Sequence, residues 1–261
     1  MADSKVIFFD IDGTLWNMYR SIPDSTRAAI KVLRQNGHKV FINSGRTRSF
    51  IQNKNLLSLG FDGIVAGCGT YIEMGEDIPK NLTIESGLLN DTIDALRSRG
   101  AAIILEGSEY LYFDLEEFAG DPYGDLVIAD VGNRRKNITG NSDFSVNKLS
   151  INTRGNDMGT VIEDLSKDYE MLFHGHDVYE IVPKGYSKAV GIEEVCEIIG
   201  ADIKDTFAFG DGRNDIEMLE KAGVGICMGS GTKEAKEAAD YVTSEQYKDG
   251  IYHALRHFDL I

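Results

Sequence analysis

Three short apolar runs, Val6–Phe9, Lys39–Ile42 and Thr206–Phe209, each stop at a loop of small and polar residues, and the chain between the first two has helical periodicity. Ala28, Ala29, Val32 and Leu33 recur at helix spacing from Asp24 to Asn36, with Asp24 or Ser25 as N-cap and Gly37 as the stop. A further helix is expected from Arg46 to about Ser58, and a third strand at Gly63 to Ala66. Strand, helix, strand, helix, strand is the order of a parallel sheet with right-handed crossovers. Functional loops of such sheets gather at the carboxyl ends of the strands. Asp10 and Asp12, then Ser44, sit at those ends.

The middle of the chain has a different texture. Short strands are expected near Ala101 to Glu106, Tyr110 to Phe113, Val146 to Ile151 and Val178 to Val182, with helices near Leu88 to Arg99 and Asp157 to Asp168. After Gly185 the first style returns: helix Ser187 to Ile199, strand Thr206 to Phe209, helix Asn214 to Lys221, strand Val224 to Met228. The expected organisation is therefore a discontinuous α/β core, 1–80 with 186–261, interrupted by an α+β insert over 81–185. No internal repeat or low-complexity tract interrupts this pattern.

Composition narrows the function. Forty-two acidic against 27 basic residues give a formal charge of −15, a field that repels nucleic acid instead of releasing its counterions. A small anionic ligand would meet the same repulsion, so a phosphate site here has to bring its own positive charge from a metal, a lysine or backbone amides. Cys68, Cys196 and Cys227 are far apart and odd in number, which argues against a disulfide framework or a cysteine zinc site and fits a reducing compartment. The start, MADSKVIFFD, lacks a signal-peptide pattern and no apolar run is long enough for a membrane span; a cytoplasmic location is expected.

The chemistry-bearing segments are two acidic loops. Asp10 and Asp12, two apart at a strand end, can both be aimed into one cleft and invite a hard cation. Gly210-Asp211-Gly212-Arg213-Asn214-Asp215 follows another strand and supplies a second carboxylate set, as a magnesium site needs. Each segment alone is equally well an ordinary turn or a helix start. Two of them, each after a strand, point together to a site.

Asp10-Ile11-Asp12-Gly13-Thr14-Leu15, Ser44-Gly45-Arg46, Lys188 and Gly210 to Asp215 resemble, in order and spacing, the four motifs of the haloacid dehalogenase superfamily of phosphatases. The closest resemblance is to the Cof-type branch. It implies a Rossmann-like parallel-sheet core with an inserted α+β cap, and a magnesium-dependent phosphatase acting on small phosphorylated metabolites such as sugar phosphates. Carried over residue by residue, it implies Asp10 as nucleophile and Asp12 as acid and then base. Ser44, Gly45 and Lys188 would bind phosphoryl oxygens. Asp10, the Asp12 backbone carbonyl and Asp211 would ligate the metal, with Asn214 and Asp215 holding metal-bound water or orienting Asp211. Ser44 stands where threonine is more usual, and Gly67-Cys68-Gly69-Thr70 where the branch more often has Asn-Gly.

Other features carry less. Lys184 competes with Lys188 for the lysine role, and Glu180 or Lys184 could contact substrate from the insert. His174-Gly175-His176 suggests a metal pair but reads equally as a loop between strands. Trp16 and Tyr19, just past the acidic loop, read as core or interface residues, with Trp16 placed to help close the site. Two other functions fit acidic loops and magnesium: a phospho-accepting regulatory module, which needs slow hydrolysis, and a phosphomutase. Asp12, an acid/base group beside the nucleophile, favours turnover.

Overall fold

The structure, a computed structural model, describes residues 4–261. Its elements run β1 (Val6–Phe9), α1 (Asp24–Gln35), β2 (Lys39–Asn43), α2 (Lys54–Leu57), β3 (Gly63–Ala66), β4 (Tyr71–Met74) and β5 (Asp77–Asn81). Then come α3 (Ser86–Ser98), β6 (Ala102–Glu106), β7 (Leu111–Tyr112), α4 (Pro122–Val131), β8 (Arg135–Lys136), β9 (Lys148–Asn152), α5 (Thr160–Leu165), β10 (Tyr169–Gly175) and β11 (Val178–Pro183). The chain closes with α6 (Lys188–Ile199), β12 (Thr206–Gly210), α7 (Ile216–Lys221), β13 (Val224–Cys227), α8 (Lys233–Ala238), β14 (Tyr241–Val242) and α9 (Gly250–His257).

Two compact units result. One takes in the chain up to Gly45, Gln52–Pro79 and Ser187–Ile261; the other comprises Arg46–Ile51 and Lys80–Tyr186. In the first unit an eight-stranded sheet has the order β14-β13-β12-β1-β2-β3-β4-β5. From β14 to β3 the neighbours are parallel, and β4 runs antiparallel to β3. The α/β sheet expected from sequence is therefore extended at one edge by β4, antiparallel to β3, and by β5 beside it, with no crossover helix between them. β1 and β12 lie side by side in register, Val6 opposite Thr206 and Phe9 opposite Phe209, so their carboxyl-end loops are neighbours. Every residue of β1 and β12 is buried, as central strands covered by helices on both faces must be. Phe8, Phe41, Val65, Ile192, Val195, Met218 and Leu219 share one core cluster, and α1 packs against β2 and α9.

The second unit is built on a six-stranded sheet, β10-β11-β9-β6-β7-β8, antiparallel except for β7 with β8. Ile103, Leu105, Leu149, Ile151 and Ile181 belong to one apolar cluster with Leu89, Ile93 and Leu96 of α3. Alternate positions on the same strands carry Glu106, Lys148, Ser150 and Glu180, and all four are buried.

Local expectations fail where tertiary contacts override pattern. The helix expected from Arg46 to about Ser58 reduces to Lys54–Leu57. Upstream of it, residues 46–51 turn through Phe50 N–Thr47 O and Ile51 N–Arg48 O bonds, while Ser49 Oγ donates to the Gly107 carbonyl at 2.7 Å and Arg46 pairs with Asp130 at 3.1 Å. Those bonds to the second unit's own residues draw the segment away from helix geometry. Strands β4, β5, β8, β10 and β14 and helices α4, α8 and α9 have no counterpart in the sequence expectation. Among the described residues, no helix is long and apolar enough to cross a membrane.

Candidate active site

At the carboxyl ends of β1 and β12, buried carboxylates converge on one lysine. Lys188 opens α6, whose N-cap Ser187 accepts from Val190 N–H. Its Nζ donates to Asp10 Oδ1 at 2.5 Å and to Asp215 Oδ1 at 2.6 Å. The lysine is only 1% exposed. Burial by itself pushes the ammonium toward its neutral form, but Asp10 and Asp215 outweigh that and hold Lys188 above the ordinary lysine range.

Asp215 is placed by its own loop. Its Oδ2 accepts Asp211 N–H and Gly212 N–H, each at 2.8 Å. Both of its oxygens thus face protein donors, which suits a residue that orients the loop. Asp211 is held differently: Thr14 Oγ1 donates to Asp211 Oδ1 at 3.2 Å. A Cβ on Gly13, whose φ is +82°, would lie 2.2 Å from Asp211 Oδ2, so only glycine lets the two acidic loops approach this closely. Burial, then the neighbouring Asp215, push the Asp211 carboxyl up to about 7. Burial also raises Asp10; Lys188 opposes the rise, and Asp215, Asp211 and Asp12 add to it.

The donor set fits a hard cation. Asp10, Asp211 and Asp215 each offer an oxygen, all within 4.8 Å of one another, and one ammonium is too little positive charge for three carboxylates in a buried pocket. Burial, and after it the neighbouring carboxylates, raise Asp10 and Asp211, and a divalent ion would offset both. The Asp12 side chain is not in this set; its Oδ1 accepts Trp16 Nε1–H at 2.9 Å. Asn214 is half-buried in the turn Arg213–Asp215.

Ser44 and Gly45 follow β2 and are buried. Ser44 N–H donates to Val65 O at 2.9 Å, and Ser44 O accepts Cys68 N–H at 3.1 Å. That bond ties the Ser44 loop to Gly67-Cys68-Gly69, three consecutive residues with φ of +58°, +55° and +86°. Cys68 is thus a non-glycine residue in left-handed backbone, which asparagine tolerates better. Gly69 is needed for close approach: a Cβ there would lie 2.6 Å from Ser187 O, against the start of α6. From β2, Asn43 Nδ2 donates to the Lys188 carbonyl at 2.9 Å and fixes the backbone that carries the lysine.

The competitor Lys184 is exposed, and its Nζ donates to Ser166 O at 3.2 Å within the second unit. His174 Nε2 pairs with Glu180 Oε2 at 2.9 Å, and among the described residues no three-ligand cluster includes His174 or His176. Sequence reasoning missed Thr14, Asn43 and the Gly13 and Gly69 contacts. A threonine right after DxDG and a polar residue buried at a strand end were the available signals.

Fold and site together define a hydrolase of the haloacid dehalogenase type. The chain belongs to the haloacid dehalogenase-like hydrolase family, whose model matches residues 7–255. It is 30% identical over 271 residues to the putative phosphatase YkrA of Bacillus subtilis, covering 99% of both proteins. It is 29% identical to the 5-amino-6-(5-phospho-D-ribitylamino)uracil phosphatase YcsE of the same organism, covering 99% of this chain and 97% of that protein. Among solved structures it is similar to the HAD subclass IIB sugar phosphatase BT4131, at TM-score 0.84 and 26% identity, covering 99% of this chain and 100% of that one. This protein is a phosphatase of that family.

Proposed function

We propose that this phosphatase is a magnesium-dependent phosphomonoester hydrolase that works through an aspartyl-phosphate on Asp10, on small phosphorylated metabolites, sugar phosphates foremost. The observation that carries the mechanism is the Lys188 ammonium shared between Asp10 and Asp215 at 2.5 and 2.6 Å, with Asp211 alongside. The substrate class is supported by likeness to the sugar phosphatase BT4131 and to YcsE, a phosphatase of a ribityl phosphate.

Magnesium held by Asp10, Asp211 and the Asp12 backbone carbonyl would neutralise charge on the phosphoryl group. Lys188 holds the Asp10 carboxylate in one orientation and, with Ser44 and Gly45, binds phosphoryl oxygens beside the N-terminal amides of α6. An Asp10 oxygen forms a bond to phosphorus as the bond to the leaving alcohol oxygen breaks, and Asp12 gives that oxygen its proton. Asp12, now a carboxylate, takes a proton from water as the water oxygen bonds phosphorus. Inorganic phosphate leaves and the Asp10 carboxylate is restored. Asp215 and Asn214 hold the loop that presents Asp211.

Phosphate release from a panel of sugar phosphates, nucleotides and other phosphomonoesters, with and without Mg²⁺, tests the reading against Asp10→Asn. Turnover should require Mg²⁺ and fall by several orders of magnitude in the variant. Borohydride trapping during turnover should convert residue 10 to homoserine. Full turnover by Asp10→Asn would sink the nucleophile assignment.

A further inference from the structure

We propose that Trp16 is a positioning residue for Asp12: its indole N–H holds one carboxylate oxygen and fixes the orientation in which Asp12 exchanges protons with leaving group and water. This rests on the reading of Asp12 as acid and base given above. Trp16 Nε1 donates to Asp12 Oδ1 at 2.9 Å, and the residue is only 3% exposed.

The loop is built to bring these side chains together. Gly13 N–H donates to Trp16 O at 2.9 Å and Trp16 N–H to Ile11 O at 3.1 Å, so the chain doubles back and Asp12 bridges Trp16 through the backbone. Buried Gln246 braces the far side, its Nε2 donating to Leu15 O at 3.2 Å and Ser21 O at 3.1 Å. Asn17 Oδ1 accepts Tyr19 N–H and Ser21 N–H at 2.9 and 3.1 Å and closes the following turn. The Arg20 guanidinium carbon stands 6.0 Å from the Trp16 ring centroid. An indole in such a frame has little freedom to move away from Asp12.

Chemistry makes the donor specific. An indole N–H can donate but not accept. Asp12 Oδ1 is therefore an acceptor in both halves of the cycle, and the exchanged proton is carried on Oδ2. A serine or water in the same place could reverse its hydrogen bond and leave the carboxyl free to turn.

The chain has one tryptophan, so growing a tryptophan auxotroph on β-(3-benzothienyl)alanine replaces the indole N–H by sulfur at this position alone. This near-isostere avoids the packing loss that Trp16→Phe would bring. With alkyl phosphates its kcat should fall by about 10- to 100-fold with little change in KM. With p-nitrophenyl phosphate the pre-steady-state burst of phenolate should keep its rate, because that leaving group departs as an anion and needs no proton. Incorporation of 4-fluorotryptophan, which keeps the N–H, should restore alkyl turnover. In an Asp12→Asn background the benzothienyl substitution should have no further effect. Equal loss of the aryl burst and alkyl turnover, or no rescue by 4-fluorotryptophan, would overturn the proposal. Asp12→Asn that keeps alkyl turnover would instead remove the reading of Asp12 itself, whereas an inactive Asp12→Asn beside a fully active benzothienyl protein would remove only the role of Trp16.

Discussion

Each unit of this protein buries a lysine between two carboxylates, yet the two arrangements are charged differently. In the first, Lys188 meets Asp10 and Asp215 at 2.5 and 2.6 Å, with Asp211 close by, and burial outweighs the lysine's pull so that Asp10 and Asp211 are raised. In the second, Lys148 meets Glu106 and Glu180 at 3.0 and 2.7 Å, with Ser150 Oγ on Glu106 and His174 on Glu180. There burial is overcome by Lys148 and His174, and Glu180 is held well below the ordinary carboxylate range. One cluster sets a single ammonium among three carboxylates; the other sets a single ammonium between two, with Ser150 and His174 as added hydrogen-bond partners. The same ion-pair motif thus carries excess negative charge at the strand-end loops and forms a hydrogen-bonded network on a sheet face.

Removing each lysine should separate the two most clearly. Lys148→Met leaves buried glutamates without their cation and should cost about 3–5 kcal/mol of second-unit stability, read by hydrogen exchange of β9 and β11 amides. Lys188→Met should instead show itself as a loss of about 10²- to 10³-fold in kcat. Turnover untouched by Lys188→Met, or β9 protection untouched by Lys148→Met, breaks the comparison.

A second contrast is the response to Mg²⁺. Saturating it to about 100 times its dissociation constant should stabilise the first unit by about 2.7 kcal/mol, read as a shift in the unfolding of Trp16 fluorescence. Gly13→Ala, whose new Cβ would collide with Asp211, should abolish that shift, and Lys148→Met should leave it in place. A shift that survives Gly13→Ala would mean that Asp211 is not part of the cation site.

The smallest expected effect is on acid stability. The folded pKa of Glu180 lies below its ordinary 4.5, so its contribution is full above that pH and is lost as pH falls further. Glu180→Gln should remove up to one proton from the steep acid limb of second-unit stability, about 1.4 kcal/mol per pH unit. An unchanged slope would mean that the Lys148 network does not hold Glu180 ionised.

Legibility followed chain locality. Asp10, Asp12, Asp211 and Asp215 could be singled out because each lies in a short loop that directly follows an apolar strand, a pattern written in consecutive residues. Nothing local sets Lys188 apart from any helix lysine; only its place in the order of motifs does. The helix expected from Arg46 was illegible because Ser49 and Arg46 are committed to Gly107 and Asp130, far away in sequence. The Glu106–Lys148–Glu180 network was equally hidden: its members are separated along the chain and meet only through strand register.

The sequence by itself determined the alternating α/β core, the acidic loops at its strand ends and their resemblance to a phosphatase family, because hydrophobic period and turn chemistry are local. Only the tertiary structure decided that Lys188 is shared by Asp10 and Asp215, that Gly13 makes room for Asp211, and that Trp16 turns back onto Asp12. Those contacts depend on which strands are neighbours and how tightly their loops pack, and burial then sets the charge each group can carry.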